Sequence, residues 1–339
     1  MKRTKLTTML AAVLLGVLAI SIANAVEVNA ENFIRAETDQ YMARYVAFGA
    51  FGAFLHVREP VPVEEQTVIR MNRDTLYSIG VFDLIDPVTV TKPAGDGRFQ
   101  SMLAISQDHF VVAVEHDPGS YKFTKDDVGT RYLFVLFRTF VDPADESDIA
   151  SAHKMQDQIV VSQRDAGTFE VPDWDHESLN RVRSLLNALA AGVTGDAAGS
   201  FGSRDEVDPI RHLIATGAGW GGNPPRAATY LNATPARNDG LVPHALTVND
   251  IPVDGFWSIT VYNGDGYMQK NSLDAYSFNG VTAQTNADGS TTVHFGACDD
   301  GRINCIPITD GWNYIVRLYR PRPEILNGSW TFPEATPLE

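Results

Sequence analysis

The apolar positions change period along the chain, and the changes mark out regions. Tyr41, Tyr45, Phe48, Phe51 and Leu55 recur every three to four residues, which predicts a helix across 31–57, ended by Pro60 and Pro62. Its nearly all-apolar part, Tyr45–Leu55, contains Gly49 and Gly52 and is too short to span a bilayer, so it reads as a buried core helix. From Val68 to Phe140 the pattern turns to strands. Leu76–Leu84, Val88–Thr91, Phe99–Ser106, His109–Glu115 and Arg131–Phe140 are short and rich in β-branched or aromatic residues. Turn formers fall between them at Asp86-Pro87, Gly95-Asp96-Gly97 and Asp117-Pro118-Gly119, a spacing that predicts a sandwich.

The helical period returns at Ile149, Ala152, Met155 and Ile159, and again at Leu179, Val182, Leu185, Leu186 and Leu189. A third helix opens at Asp208-Pro209, an N-cap followed by Pro at the first helical position, and stops at Gly217-Ala218-Gly219. The segment Gly219–Pro225 is a loop by composition. Strands resume at Phe256–Tyr262, Ala275–Gly280, Thr291–Phe295 and Trp312–Tyr319. In the last, Trp312, Tyr314, Val316 and Leu318 alternate with Asn313, Ile315, Arg317 and Tyr319; both sets are bulky, so the strand is expected to be buried on both faces. The expected fold is mainly β with a helical insert: an N-terminal helix plus sandwich at 26–144, a helical middle at 145–217 and a second sandwich at 218–339.

Residues 1–25 read as a cleavable signal peptide. Lys2, Arg3 and Lys5 precede the apolar run Met9–Ile20, and Ala23-Asn24-Ala25 supplies small residues two apart, so cleavage is expected before Val26. The expected location is the periplasm or the medium, with no stable membrane insertion after cleavage. Cleavage removes three positive charges and no negative ones, which moves the net charge from −15 to about −18. Such a surface disfavours nucleic acid and anionic membrane, because phosphate binding needs clustered Lys and Arg. A neutral molecule, a cation or a glycan fits better. Cys298 and Cys305 flank Asp299-Asp300-Gly301-Arg302-Ile303-Asn304, and in an oxidising compartment so close a pair is expected to form a disulfide.

Two longer motifs carry a resemblance. Met71-Asn72-Arg73-Asp74-Thr75-Leu76-Tyr77-Ser78, leading into Phe82-Asp83-Leu84, resembles the signature of the domain of unknown function numbered 1254. Gly255-Phe256-Trp257-Ser258-Ile259-Thr260-Val261-Tyr262-Asn263, then Asn271-Ser272 and Tyr276-Ser277, resembles the domain of unknown function numbered 1214. The closing stretch Arg317-Leu318-Tyr319-Arg320-Pro321 and the loop Gly219-Trp220-Gly221-Gly222 are similar to that second family as well. The resemblance spans roughly residues 40–335. It implies an immunoglobulin-like sandwich, a small helical domain and a jelly-roll-like sandwich, and it names no activity. One departure stands out: Cys305 occupies a position where the family usually has Trp after Asn304.

Several groups are candidates for chemistry. Arg73, Asp74 and Tyr77 place a guanidinium, a carboxylate and a phenol before a strand; Asp74 would serve as general base and Arg73 would hold an anionic group. The same residues read equally as a buried Arg73–Asp74 ion pair with Asn72 forming a turn. Asn72, Trp220, Trp257, Tyr262 and Asn271 combine aromatic faces with amides, a set suited to sugars or small molecules; in a strand they also divide into core and rim. The eight histidines show no zinc spacing, and no metal or cofactor is expected. Acidic 142–148 lacks the spacing of an EF-hand, and Ser151-Ala152-His153-Lys154 lacks the partner motifs of a serine acyl-enzyme. The leading expectation is a protein that binds a small molecule or glycan in an inter-domain cleft. The alternatives are a metal-independent hydrolase or lyase using the 72–77 cluster, and a surface protein that assembles as a homo-oligomer.

Overall fold

The computed structural model describes residues 25–66, 69–190, 192–193 and 198–338, so the expected signal peptide, apart from its last residue, lies outside the described residues. In chain order the elements are α1 (Phe33–Ala47), β1 (Phe54–His56), β2 (Thr75–Asp83), β3 (Val88–Lys92), β4 (Gln100–Ser106), β5 (Val111–Glu115) and β6 (Gly119–Phe123). Then come α2 (Lys125–Val128), β7 (Tyr132–Phe140), α3 (Glu146–Asp157), β8 (Val160–Ser162), α4 (His176–Ala190) and α5 (Pro209–Gly219). The chain closes with β9 (Ala228–Ala233), β10 (His244–Val248), β11 (Trp257–Tyr262), β12 (Ser277–Asn279), β13 (Thr291–Phe295), β14 (Cys305–Ile306), β15 (Asn313–Tyr319), α6 (Pro323–Leu326) and β16 (Thr336–Pro337). The protein is mainly β with a helical insert, built as two sandwiches.

In the first sandwich a five-stranded sheet, β1-β2-β7-β4-β5, packs on a three-stranded sheet, β6-β3-β8. Phe82, Met102, Leu133, Val135 and Phe137 point between the sheets, where Val88 and Val90 meet them. The intervening residues Ile79, Val81, Leu103, Ile105 and Phe134 point the other way, against Met42 of α1. Period two with both faces covered is why β7 is buried at every position. α1, α4 and α5 share a small core of Phe33, Ala36, Leu179 and Leu186. Two buried acids of α1 are satisfied by it: Glu37 pairs with Arg183 of α4 at 2.5 Å, and Asp39 accepts from Gln107 and Trp174.

The expected helix over 31–57 is shorter in the structure and is followed by a strand. Gly49 and Gly52 take φ of +95° and +66°, conformations that end a helix, and Phe54–His56 then pairs with the edge of β2. Likewise the helix at Ile149 stops at Asp157, and Val160–Ser162 returns as β8 to pair with β3. The acidic turn before α3 is structural: Asp145 caps the helix, and Asp148 pairs with Arg98.

The second sandwich packs β12-β11-β15-β9 against β14-β13-β10-β16. Leu246, Ile259, Val293, Phe295, Trp312, Val316 and Leu318 fill the space between them. Cys298 and Cys305 form the expected disulfide. Cys305 lies in β14, directly opposite His294 of β13, so the clip anchors a sheet edge. The outer face of β12-β11-β15-β9 turns toward the first sandwich: Phe99 and Phe140 of the first sandwich meet Phe256 and Tyr319 there.

Candidate functional site

The junction of the two sandwiches gathers the polar residues of both sequence motifs. The segment before β2 lies against the outer face of β11 and β15. Arg317 of β15, only 4% exposed, sits between Ser258 and Tyr230 in the register of the sheet. Its Nη1 donates to Thr260 Oγ1 at 2.8 Å. Its Nη2 donates to the carbonyls of Arg70 (3.0 Å) and Met71 (3.4 Å) and to Tyr262 Oη (2.7 Å). Tyr262 in turn donates to Met71 O at 2.7 Å. Asn72 donates to Tyr319 Oη at 3.0 Å and accepts the N–H of Asp74 at 2.9 Å.

Asp74 is fully buried. Its Oδ1 accepts from Asn279 Nδ2 at 3.1 Å and Ser277 Oγ at 3.5 Å, and the Ser258 hydroxyl lies beside the carboxyl as a further hydrogen-bonding neighbour. Burial pushes the Asp74 carboxyl above the usual range, against the opposing pull of Arg317 and Asn279. Burial also carries the Tyr319 phenol well above its ordinary value. For Arg317, burial works against the charge, but Tyr262, Tyr319 and Asp74 outweigh it and hold the guanidinium protonated.

A second buried arginine extends the network. Arg138 of β7, opposite Tyr77 of β2, donates to Asn223 Oδ1 at 3.2 Å and Gly221 O at 2.9 Å. Asn223 then donates to Tyr230 Oη at 2.8 Å. The glycines of the loop 219–222 are required here. Gly221 has φ of +80°, and a Cβ at Gly222 would lie 2.4 Å from the Phe201 ring. The same loop seats Trp220, which stacks on Tyr41 at 4.4 Å and donates to Thr38 Oγ1. Next to it, Gly221 N donates to Nε2 of His109, an imidazole that burial holds well below its ordinary pKa and therefore neutral.

The structure thus brings Asn72, Asp74 and Tyr262 together and places the other expected residues apart. Arg73 lies over the Tyr276 ring at 5.4 Å and is not hydrogen-bonded to Asp74. Tyr77 is half-buried beside the α1 layer. Trp220 belongs to that layer too, and Trp257 lies in the core of the second sandwich. Asn271 shapes its own turn, accepting from Leu273 N and Ala275 N, beside a hollow of about 10 Å³, room for one water. Arg317, Tyr319, Asn279, Arg138 and Asn223 were not among the expected site residues. Arg317 had a signal: it is the one charge in a strand with two bulky faces.

A large concavity lies at the β9 edge of the same sheet. A groove of about 810 Å³ is lined by all six residues of β9, by Tyr314, Val316 and Leu318 of β15, by Phe201 and Glu206 of the helical middle, and by Trp330 and Phe332 near the C-terminus. Its lining mixes apolar and polar side chains. At its rim Glu206 pairs with Arg226 at 2.7 Å. The sequence hid it because β9 was not recognised as a strand. Among the described residues no group of three or more His, Cys, Asp or Glu could hold a metal ion.

Comparison with known proteins agrees with this architecture. The model of the family described as protein of unknown function DUF1254 matches residues 51–163, and that of DUF1214 matches residues 228–323. No curated protein matches the chain. Among solved structures, the VPA0106 protein from Vibrio parahaemolyticus is similar in fold, with a TM-score of 0.67 and 18% identity over 91% of this chain and 99% of that one. A putative uncharacterized protein from Burkholderia cenocepacia has a TM-score of 0.52 and 14% identity, covering 91% and 89%. With its two family motifs meeting at Arg317, the chain belongs to the proteins that join an N-terminal DUF1254 domain to a C-terminal DUF1214 domain.

Proposed function

We propose that this is an exported binding protein that takes a small molecule or glycan in the groove between the helical middle and the second sandwich. The groove carries the reading. Its volume is within the range of ligand sites, roughly 300–1,000 Å³, and Trp330 and Phe332 offer aromatic faces beside the polar Thr229 and Asn232. An acidic protein at net charge −15 favours a neutral or cationic ligand. Export is supported by the leader-like residues 1–25 and by the disulfide; no helix among the described residues is long and apolar enough to cross a membrane.

The cluster at 72–77 is then the joint between the sandwiches. Across the junction Asn72 donates to Tyr319 Oη and Asp74 accepts from Asn279, and no hydrogen bond joins any two of the Arg73, Asp74 and Tyr77 side chains. The hydrolase or lyase reading keeps one supporting observation, the fully buried Asp74 carboxyl with its raised pKa.

A thermal-shift screen over sugars, organic acids and divalent ions tests the binding reading, because a ligand of the folded state must raise the midpoint. Leu231→Trp fills the groove and is expected to abolish each shift; shifts that persist in this variant would place the ligand elsewhere. For export, N-terminal sequencing of the mature protein should begin at Val26, and retention of residues 1–25 on the recovered protein would contradict it.

A further inference from the structure

We infer that the groove also takes an extended peptide, which adds to the free edge of β9 as a further strand, a reading that rests on the groove being the binding site. Alternate residues of a strand point to opposite faces. All six residues of Ala228–Ala233 can therefore border one groove only where it runs along the edge of the strand. β9 pairs with β15 on one side, and no strand among the described residues pairs with the other.

Hydrogen bonding shows which backbone groups face outward. Arg320 N donates to Ala227 O, and on the other flank of β15, Tyr319 N donates to Phe256 O. Bonded and non-bonded pairs alternate along an antiparallel ladder. Thr229, Leu231 and Ala233 thus turn their N–H and C=O groups to β15, and Ala228, Tyr230 and Asn232 turn theirs away from it. The N–H of Ala228 is taken by Pro224 O, but the backbone groups of Tyr230 and Asn232 have no partner among the described residues. These are two donors and two acceptors repeating at about 7 Å, the two-residue step of a strand. A second extended main chain meets all four in register.

The setting favours one chain over a whole sheet edge. Open edges are commonly guarded by Lys, Pro or a bulge. Ala-Thr-Tyr-Leu-Asn-Ala has neither of those residues, and its pairing with β15 is regular; it is recessed instead, among Phe201, Glu206, Trp330 and Phe332. The recess obstructs the flat approach that pairing with a second copy would need. Charge sets the class of peptide. Glu206 is paired with Arg226, Glu334 makes no ion pair among the described residues, and the protein carries −15 overall. The peptide is neutral or basic, with apolar side chains at alternate positions to meet the half-buried Leu231, Trp330 and Phe332.

The test is affinity selection of a capped hexapeptide pool, alternating apolar residues with Ser, Thr or Lys, on the immobilised full chain, followed by resynthesis of the best-retained peptide. Retention is expected on the wild type, and so is loss of roughly tenfold in affinity in Asn232→Pro, which removes one outward donor. Proline is tolerated at an edge whose N–H faces away from the ladder. Should that variant fold poorly, the same peptide with alternate amides N-methylated serves instead: one methylated set should lose binding and the other should keep it. Equal binding of the two sets, or no retention above the Leu231→Trp control, overturns the peptide. If sugars or organic acids shift the wild type and not Leu231→Trp while no peptide is retained, the groove stands and only the peptide falls. A dimer in solution that the peptide leaves intact and whose formation Asn232→Pro abolishes would instead assign the edge to a second copy and overturn the inference.

Discussion

The sheet β12-β11-β15-β9 has two faces of opposite character. One face, with Arg317, Tyr319 and Tyr262, closes on the first sandwich through direct hydrogen bonds. The other, with Tyr314, Val316 and Leu318, is buried in the sandwich core, and at its β9 edge half-buried Leu231, Trp330 and Phe332 border an open groove. The polar face is sealed and the apolar face has room. Buried polar groups must find partners, so a dense polar set at a domain boundary is used up in fixing the two sandwiches against each other. Apolar surface beside open space has only water as its neighbour, and a ligand that displaces that water gains free energy. Polarity therefore marks the joint, and apolar relief marks the site.

The contrast can be broken at either face. Arg317→Met should have the largest effect, a loss of about 3–5 kcal/mol in urea denaturation, because it strands the carbonyl of Arg70 and leaves Asp74 without its nearby cation. A loss under about 1 kcal/mol would remove the junction from the comparison. Cys305→Ser opens a clip on the opposing sheet and should cost roughly 2–3 kcal/mol, with no further effect of reductant on the variant. Asp74→Asn sharpens the picture through pH. The folded-state pKa of Asp74 is raised above its unfolded value, so the native state binds more protons within that window. Wild-type stability should fall, relative to the variant, as pH rises from near 3.8 through the raised value. A difference that is flat with pH would show that Asp74 does not titrate differently on folding. Asn232→Pro should have the smallest effect on stability, within about 0.5 kcal/mol by thermal melt, because the N–H it removes faces away from the ladder. A large loss would mean that this edge is part of the fold's own pairing.

Much of the fold was legible from local pattern. Leu76–Leu84 and Trp312–Tyr319 show their period plainly, and both were placed within a residue or two. Asp208-Pro209 announced α5 through its cap. The strand at Ala228–Ala233 escaped because its alternation is weak: it carries two alanines and one polar side chain on each face. His244–Val248 is short and half polar, and its place in the sheet comes from pairing with β13 and β16. The candidate site was legible only in part. Asn72 and Asp74 were in view, but their partners Tyr319 and Asn279 lie more than 200 residues further along the chain.

What the sequence determined by itself was local: the order of helical and β regions, the two-faced burial of Trp312–Tyr319, and the pairing of Cys298 with Cys305 across a short loop. These follow from side-chain period and from chain proximity, which neighbouring residues carry with them. Only the tertiary structure decided that Arg317 would lock onto the carbonyls before β2, and that β9 would keep an unpaired edge beside an open groove. Both depend on which surfaces meet across more than a hundred residues of intervening chain, and no local period encodes that.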